Sequence, residues 1–392
     1  MDMKIDPYKH KEAYLKWKDE VRDGVPDLSK KNSDLLLKYL EDMECGLNVS
    51  VKNRKGARGF PRLNTLKQRL KFMFKEFEAR YGLDDVTLIN EQHVHSHFTG
   101  MRNGTIKRKN GACYKSTVDY VKIFKAFWHW HQKINRKIKI EIPDITLDLD
   151  TSRTKPEWVY LTEEQVKLLY DMAKPSYKTL IMFLFDTGIR APTELMNIKV
   201  SDLMNDFKEL NIRDEISKTF GRRIKLMICS DIIKNHVAMN GLEQDDYLFK
   251  ISPPSVNQYL KRLAGRVLGD SKSPAGQKYS DLTMYDFRHC SCCYWLPRYK
   301  SESALKFRFG WKKSDKIHYY SEMLGMRDTI SEEDLLIDVT KTELEQRLTK
   351  TEKENDLIKD EIMAMKEQYK QVIELAQKAF GGVKILECGV CG

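Results

Sequence analysis

The sequence predicts a mainly α protein with one small β-hairpin, an α+β fold in which a helical bundle, a larger second domain and a C-terminal coiled coil follow one another. Three patterns predict it. Apolar residues recur at helical spacing across residues 31–140 and over most of 160–325. One stretch between 209 and 228 reads instead as two short strands around a turn. A heptad pattern then runs from 344 to 379.

In chain order, residues 1–30 are charged and mixed, predicting a short helix and an arm. The bundle, 31–147, is carried by Leu36, Tyr39 and Leu40, then Leu66, Leu70, Met73, Phe74 and Phe77, then Val121, Phe124, Phe127 and Trp128. Clusters of Gly and Asn at 53–59 and 103–111 punctuate it. Residues 148–159 are polar, aperiodic and contain Pro156, so the linker belongs there. Thr162, with Gln165 three residues on, is a capping box that opens the second domain, 160–335. Within it, Glu209 to Lys218 and Arg223 to Ile228 predict a hairpin that turns at Phe220-Gly221. With Leu344 at d, the a and d positions include Leu348, Thr351, Asn355, Ile358, Ile362, Met365, Tyr369, Val372, Ala376 and Ala379. That seam predicts a coiled coil over 338–382, ended by Gly381-Gly382, with a loose terminus at 383–392.

The 392 residues are 41% hydrophobic and 32% charged, with a net charge of +11. A polyanionic partner is expected. No apolar run approaches the ~20 residues that span a bilayer, and the first residues do not read as a signal peptide. The eight cysteines come with nothing secretory, so reduced thiols in a cytoplasmic, nucleoid-associated protein are expected.

The chemistry is carried by an ordered set near the end of the second domain. Tyr285 and Arg288 form one box, Trp311 follows Arg288 by 23 residues, and Tyr320 follows Trp311 by nine. Thr187-Gly188-Ile189-Arg190 lies upstream. Two arginines suit a phosphodiester under attack, because guanidiniums can hold its non-bridging oxygens bidentately. The set resembles the tyrosine recombinases, the phage-type integrases, and most nearly the integrases of mobile elements. The resemblance covers the second domain and, more loosely, the bundle, which in that family form a C-shaped clamp around the duplex.

The resemblance implies a role for each residue. Arg190 and Arg288 would hold the scissile phosphate, and Trp311 would take the position of a His or Trp that donates to it. Tyr320 would be the nucleophile, forming a 3′-phosphotyrosine, with Tyr319 as its neighbouring rival. Lys218, in Ser217-Lys218-Thr219, would protonate the departing 5′ oxygen, with Lys225 as competitor. No ATP, Mg²⁺ or other cofactor is implied, since rejoining is the reverse reaction. Two departures stand out. Arg190 and Glu194 are four residues apart where the family has three, and Tyr285 replaces the usual histidine. A phenol can donate a hydrogen bond, but its pKa of ~10 makes it a poor base at neutral pH. His289 reads as a packing residue, catalytic only in a shifted register.

For DNA, residues 52–71 hold Lys52, Arg54, Lys55, Arg58, Arg62, Lys67, Arg69 and Lys71 and no acid. Such a loop leading into a helix predicts a phosphate-tracking surface. Arg298, Lys300, Lys306, Arg308, Lys312 and Lys313 predict a second basic rim beside the site. His93, His95 and His97 do not make a metal site, because only two share a helical face. Cys388-x-x-Cys391 reads as half a zinc site or a redox pair, which a parallel dimer would complete as Cys₄, or simply as a frayed terminus. Partners are therefore double-stranded DNA and further copies of the chain, as a dimer through the coiled coil and a tetramer on DNA. Two rivals share these features: a type IB topoisomerase, and a catalytically degenerate dimeric DNA-binding regulator.

Overall fold

Helical periodicity in the first 140 residues becomes five helices in the computed structural model, which describes residues 5–49, 56–152, 155–299 and 301–324. It also describes helical positions between 351 and 376. The chain divides into two units, Met1–Tyr320 and Ser321–Gly392. The first five helices are α1 (His10–Glu20), α2 (Lys30–Cys45), α3 (Phe60–Tyr81), α4 (Glu91–Asn103) and α5 (Thr117–Lys137). Their ends follow local chemistry. The Ser29 hydroxyl accepts from Asn32 N at the start of α2, and the Asn90 side chain does the same for His93 N at the start of α4. Glycines in the left-handed conformation, Gly46, Gly82 and Gly104, stop α2, α3 and α4.

One face of each helix supplies the bundle core. Leu36, Tyr39 and Leu40 meet Leu70, Phe74 and Phe77, with Phe124, Phe127 and Trp128 closing over them. Aromatic edges pack on faces throughout, as in Tyr39 against Phe127 at 5.5 Å and Phe77 against Phe124 at 5.6 Å. His97 is buried between Phe77 and Phe98, and neither ring nitrogen has a hydrogen-bond partner among the described residues. The strong apolar spacing of α3 and α5 announces them in the sequence. Helix α4 is less legible there because polar His93, His95 and Ser96 interrupt its stripe.

The second part begins with α6 (Glu163–Met172), opened by the reciprocal Thr162–Gln165 box. It continues with α7 (Pro175–Thr187), a sheet of β1 (Leu203–Met204), β2 (Glu209–Ile212) and β3 (Arg222–Lys225), then α8 (Ser230–Met239) and α9 (Pro253–Leu268). The last helices are α10 (Met284–Trp295), α11 (Glu302–Phe309) and α12 (Asp315–Met323). The sheet is antiparallel in the order β1-β2-β3, with Leu210 opposite both Leu203 and Ile224.

The hairpin is shorter in its strands and wider in its turn than the sequence predicts. Its loop runs from 213 to 221, closed by one side-chain bond inside it and tied by two others to distant segments. Asp214 Oδ1 accepts from Gly221 N at 2.6 Å, Ser217 reaches Glu194 at 3.3 Å, and Thr219 donates to Gly310 O at 2.9 Å.

A buried ion pair ties the second part together. Arg308 donates to Asp186 Oδ1 and O at 2.8 and 2.6 Å and to Lys225 O at 3.0 Å. The Asp186 Oδ2 atom accepts from Ile228 N and Cys229 N, at the entrance to α8. Arg308 therefore locks α7, β3, α8 and α11 together and does not belong to a basic rim; this corrects its reading as a surface charge.

In the second unit, the described positions from 355 to 376 are helical. Ile358, Ile362, Met365, Tyr369 and Val372 of the predicted seam are exposed. Leu344, Leu348, Ala379, Gly381, Gly382, Cys388 and Cys391 lie outside the described residues, as do Lys52, Arg54, Lys55 and Lys300.

Candidate active site

Gly188 caps α7 in the left-handed conformation, turning the chain so that Arg190 leaves the helix end. A Cβ on Gly188 would come within 2.3 Å of the Phe309 ring, so only glycine fits this turn. The chain turns between Arg190 and Glu194, where the Ala191-Pro192 peptide is cis. Glu194 closes the turn, accepting from Arg190 N at 3.0 Å and from Arg190 Nη1 at 2.7 Å.

Glu194 is fully buried and also takes Arg222 Nη2 at 2.9 Å. Burial pushes its carboxyl up, but the Arg222 bonds and charge and then Arg190 outweigh that and hold it down at about 2. Arg190 is consequently fixed in direction by a carboxylate that stays ionised.

Arg288 comes from the second turn of α10. Its guanidinium donates to Gly188 O and Phe309 O, each at 2.5 Å. Arg190 Nη2 reaches the same Phe309 O at 3.4 Å and Gly310 O at 2.8 Å. Two guanidiniums from elements a hundred residues apart thus share one acceptor, which puts them within reach of a single phosphate. Burial, then repulsion from Arg190, lowers the Arg288 pKa to about 10. An anion placed there would relieve that repulsion.

Trp311 lies flat on Tyr320, with ring centres 5.9 Å apart and planes at 13°, and on Phe309 at 5.0 Å. Tyr320, on α12, is buried at 3% exposure, and its hydroxyl lies 2.5 Å from His289 Nδ1. Burial raises the Tyr320 pKa well above 10 and lowers that of His289 to about 3. The phenol is therefore protonated and the imidazole neutral, and one hydrogen bond joins them, its direction set by the imidazole tautomer. The sequence reads His289 as a packing residue. It does pack, stacked on Trp158 at 4.7 Å, and it also holds Tyr320. Tyr285 is half exposed, its ring T-shaped to that of His289 with centroids 5.2 Å apart.

Lys218 is exposed in the β2–β3 loop, between two neighbours, Ser217 and Thr219, that both bond into the site. Lys225, its competitor, is exposed on β3. Tyr319 faces differently from Tyr320. Its hydroxyl donates to Pro156 O at 3.1 Å and accepts from Trp158 Nε1 at 2.8 Å.

Residues of the basic run on α3 have partners within the chain. Lys67 lies over Trp17 at 4.7 Å, Arg69 pairs with Asp119 at 3.3 Å, and Lys71 approaches Asp27 at 3.8 Å. The acids missing from the run arrive from other segments. Arg58 and Arg62 instead border an open pocket of about 510 Å³ with Lys122, Lys125 and His129 of α5. Those three have no run of like charge around them, and only the packing of α5 against α3 gathers them. Lys312 and Lys313 are exposed just before α12.

No family model matches the sequence, and no curated protein matches it. Solved structures do. XerH site-specific recombinase bound to a palindromic difH substrate is 14% identical, with 75% of this chain and 94% of that one covered at a TM-score of 0.55. A lambda integrase dimer bound to a COC′ core site is 15% identical, covering 78% and 81% at 0.55. The Tn1549 transposon integrase with transposon right end DNA is 13% identical, covering 81% and 99% at 0.54. The chain has the fold these recombinases and integrases share, the tyrosine recombinase fold.

Proposed function

We propose that the protein is a site-specific tyrosine recombinase that cuts and rejoins double-stranded DNA, integrating or excising a mobile element. The observation that carries this reading is the convergence of Arg190 and Arg288 on one acceptor beside a tyrosine stacked on Trp311. In the reaction, the Tyr320 oxygen bonds to phosphorus as its proton passes to solvent water, and the bond to the 5′ oxygen breaks. Arg190 and Arg288 bear the charge that develops on the non-bridging oxygens. The departing oxygen takes a proton from Lys218, whose loop is tied into the site on both sides. Trp311 offers its indole N–H to the phosphate and Tyr285 its hydroxyl. Reversal by a 5′ hydroxyl from another strand completes exchange, with no external energy source.

Arg58, Arg62, Lys122, Lys125, Lys312 and Lys313 would follow the DNA backbone, with Lys52, Arg54 and Lys55 extending that surface. The exposed seam of the tail supports a parallel coiled coil that pairs protomers, four of which assemble on DNA. The test is incubation with nicked DNA from the protein's own genomic neighbourhood, in EDTA, followed by denaturing electrophoresis. A covalent protein–DNA species is expected. Its absence with binding intact leaves a DNA-binding regulator, and a strict metal requirement indicates another nuclease chemistry.

A further inference from the structure

We infer that Trp158, carried by the irregular chain between α5 and α6, is a positioning residue that restrains Tyr320 in a packed resting state through Tyr319 and His289. This rests on Tyr320 as the nucleophile proposed above.

Trp158 is 3% exposed and is held by its backbone on both sides. Its N–H donates to Ala275 O at 3.1 Å, and its carbonyl accepts from Gln277 N at 3.3 Å and Ser273 Oγ at 3.1 Å. On that support the indole meets three residues. Its Nε1 donates to Tyr319 OH at 2.8 Å, its face stacks on His289, and its edge meets the Tyr320 ring at 6.2 Å and 79°. Tyr319 returns a bond to Pro156 O, so residues 156–158 and α12 are joined by two hydrogen bonds through one phenol.

Tyr320 is therefore enclosed by Trp158, His289 and Trp311, with its hydroxyl bonded to a neutral imidazole. To attack phosphorus, that hydroxyl must turn toward a phosphate, and the bonds that clasp α12 oppose that movement. The adjacent Tyr319 also gains a role that explains two consecutive tyrosines: one reacts, and the other holds the helix.

The experiment uses full-length Tyr319→Phe and Trp158→Phe. The first deletes one half-buried hydroxyl and the second keeps an aromatic ring without the donor. DNA-free protein is treated with tetranitromethane, and nitration at Tyr320 is mapped by peptide mass spectrometry. Nitration should rise severalfold in both variants over wild type. In single turnover on nicked DNA, both should form the covalent adduct several times faster at unchanged DNA affinity. Unchanged nitration in Tyr319→Phe overturns the inference, and so does slower or equal adduct formation where the wild type reacts. If the wild type forms no adduct, the recombinase reading fails, while the nitration result still decides whether the clasp exists.

Discussion

Arg190 and Arg288 each have little freedom. Arg190 is tied to Glu194, and Arg288 to the carbonyls of Gly188 and Phe309. Arginines held in place this way lose little on meeting a phosphate, so their removal should be felt in the transition state. Arg190→Ala and Arg288→Ala should each slow adduct formation on the order of 10²-fold or more, as for other lost oxyanion stabilisers. Slowing of less than about tenfold in single turnover for both would remove the clamp from the account.

His97 makes a different residue-scale prediction, about stability. Burial, then the Arg80 charge, lowers its pKa from 6.5 to about 4. The unfolded chain then binds more protons than the native one between those two values, so stability rises with pH there and falls as pH drops from about 6.5 towards 4. From pH 7 to pH 5 the loss from this group is about 2 kcal/mol, and His289 contributes with the same sign. In urea titrations, His97→Leu should flatten that decline relative to wild type. An equal decline in both proteins would place the acid sensitivity elsewhere.

At the scale of elements, legibility followed the range of the interaction. The Thr162–Gln165 cap, the α3 and α5 stripes and the Arg288–Trp311–Tyr320 spacing are local or fixed-interval signals, and each is in the sequence. Helix α4 lacks a clean stripe, and the β2–β3 loop is tied by Ser217 and Thr219 to partners that no local pattern reveals. The Asp186–Arg308 and Glu194–Arg222 pairs join residues 122 and 28 positions apart. Trp158 is visible in the sequence only as the end of a linker, because its partners lie 131 and 161 residues on.

The pocket between α3 and α5 was half legible for the same reason: Arg58 and Arg62 lie in the basic run, but Lys122 and Lys125 do not. Replacing Lys122 and Lys125 by Gln should weaken binding to all DNA sequences about equally. It should also reduce the salt slope of log K by roughly 0.9 for each phosphate that is no longer neutralised. An unchanged slope, measured by fluorescence anisotropy over a salt series, would make this pocket irrelevant to DNA.

For the whole molecule, the tail raises the question of assembly. A helix over 341–380 would be about 60 Å long at 1.5 Å per residue, and the described seam residues Ile358, Met365 and Val372 are exposed. Asn355 at an a position favours two parallel strands in register. The isolated segment 338–382 should therefore sediment as a dimer at tens of micromolar, and Asn355→Ile should make it more stable but less uniform in size. A monomer ends the coiled-coil proposal without touching the active site.

The central claim is that this fold presents Tyr320 as a nucleophile to a phosphate held by Arg190 and Arg288. Peptide mapping of the covalent complex formed on nicked DNA tests it most directly. A phosphotyrosine linkage at Tyr320 is expected, formed in EDTA, lost in Tyr320→Phe with DNA affinity within a few-fold, and retained in Tyr319→Phe. A linkage at Tyr319, or an adduct that survives in Tyr320→Phe, would contradict it.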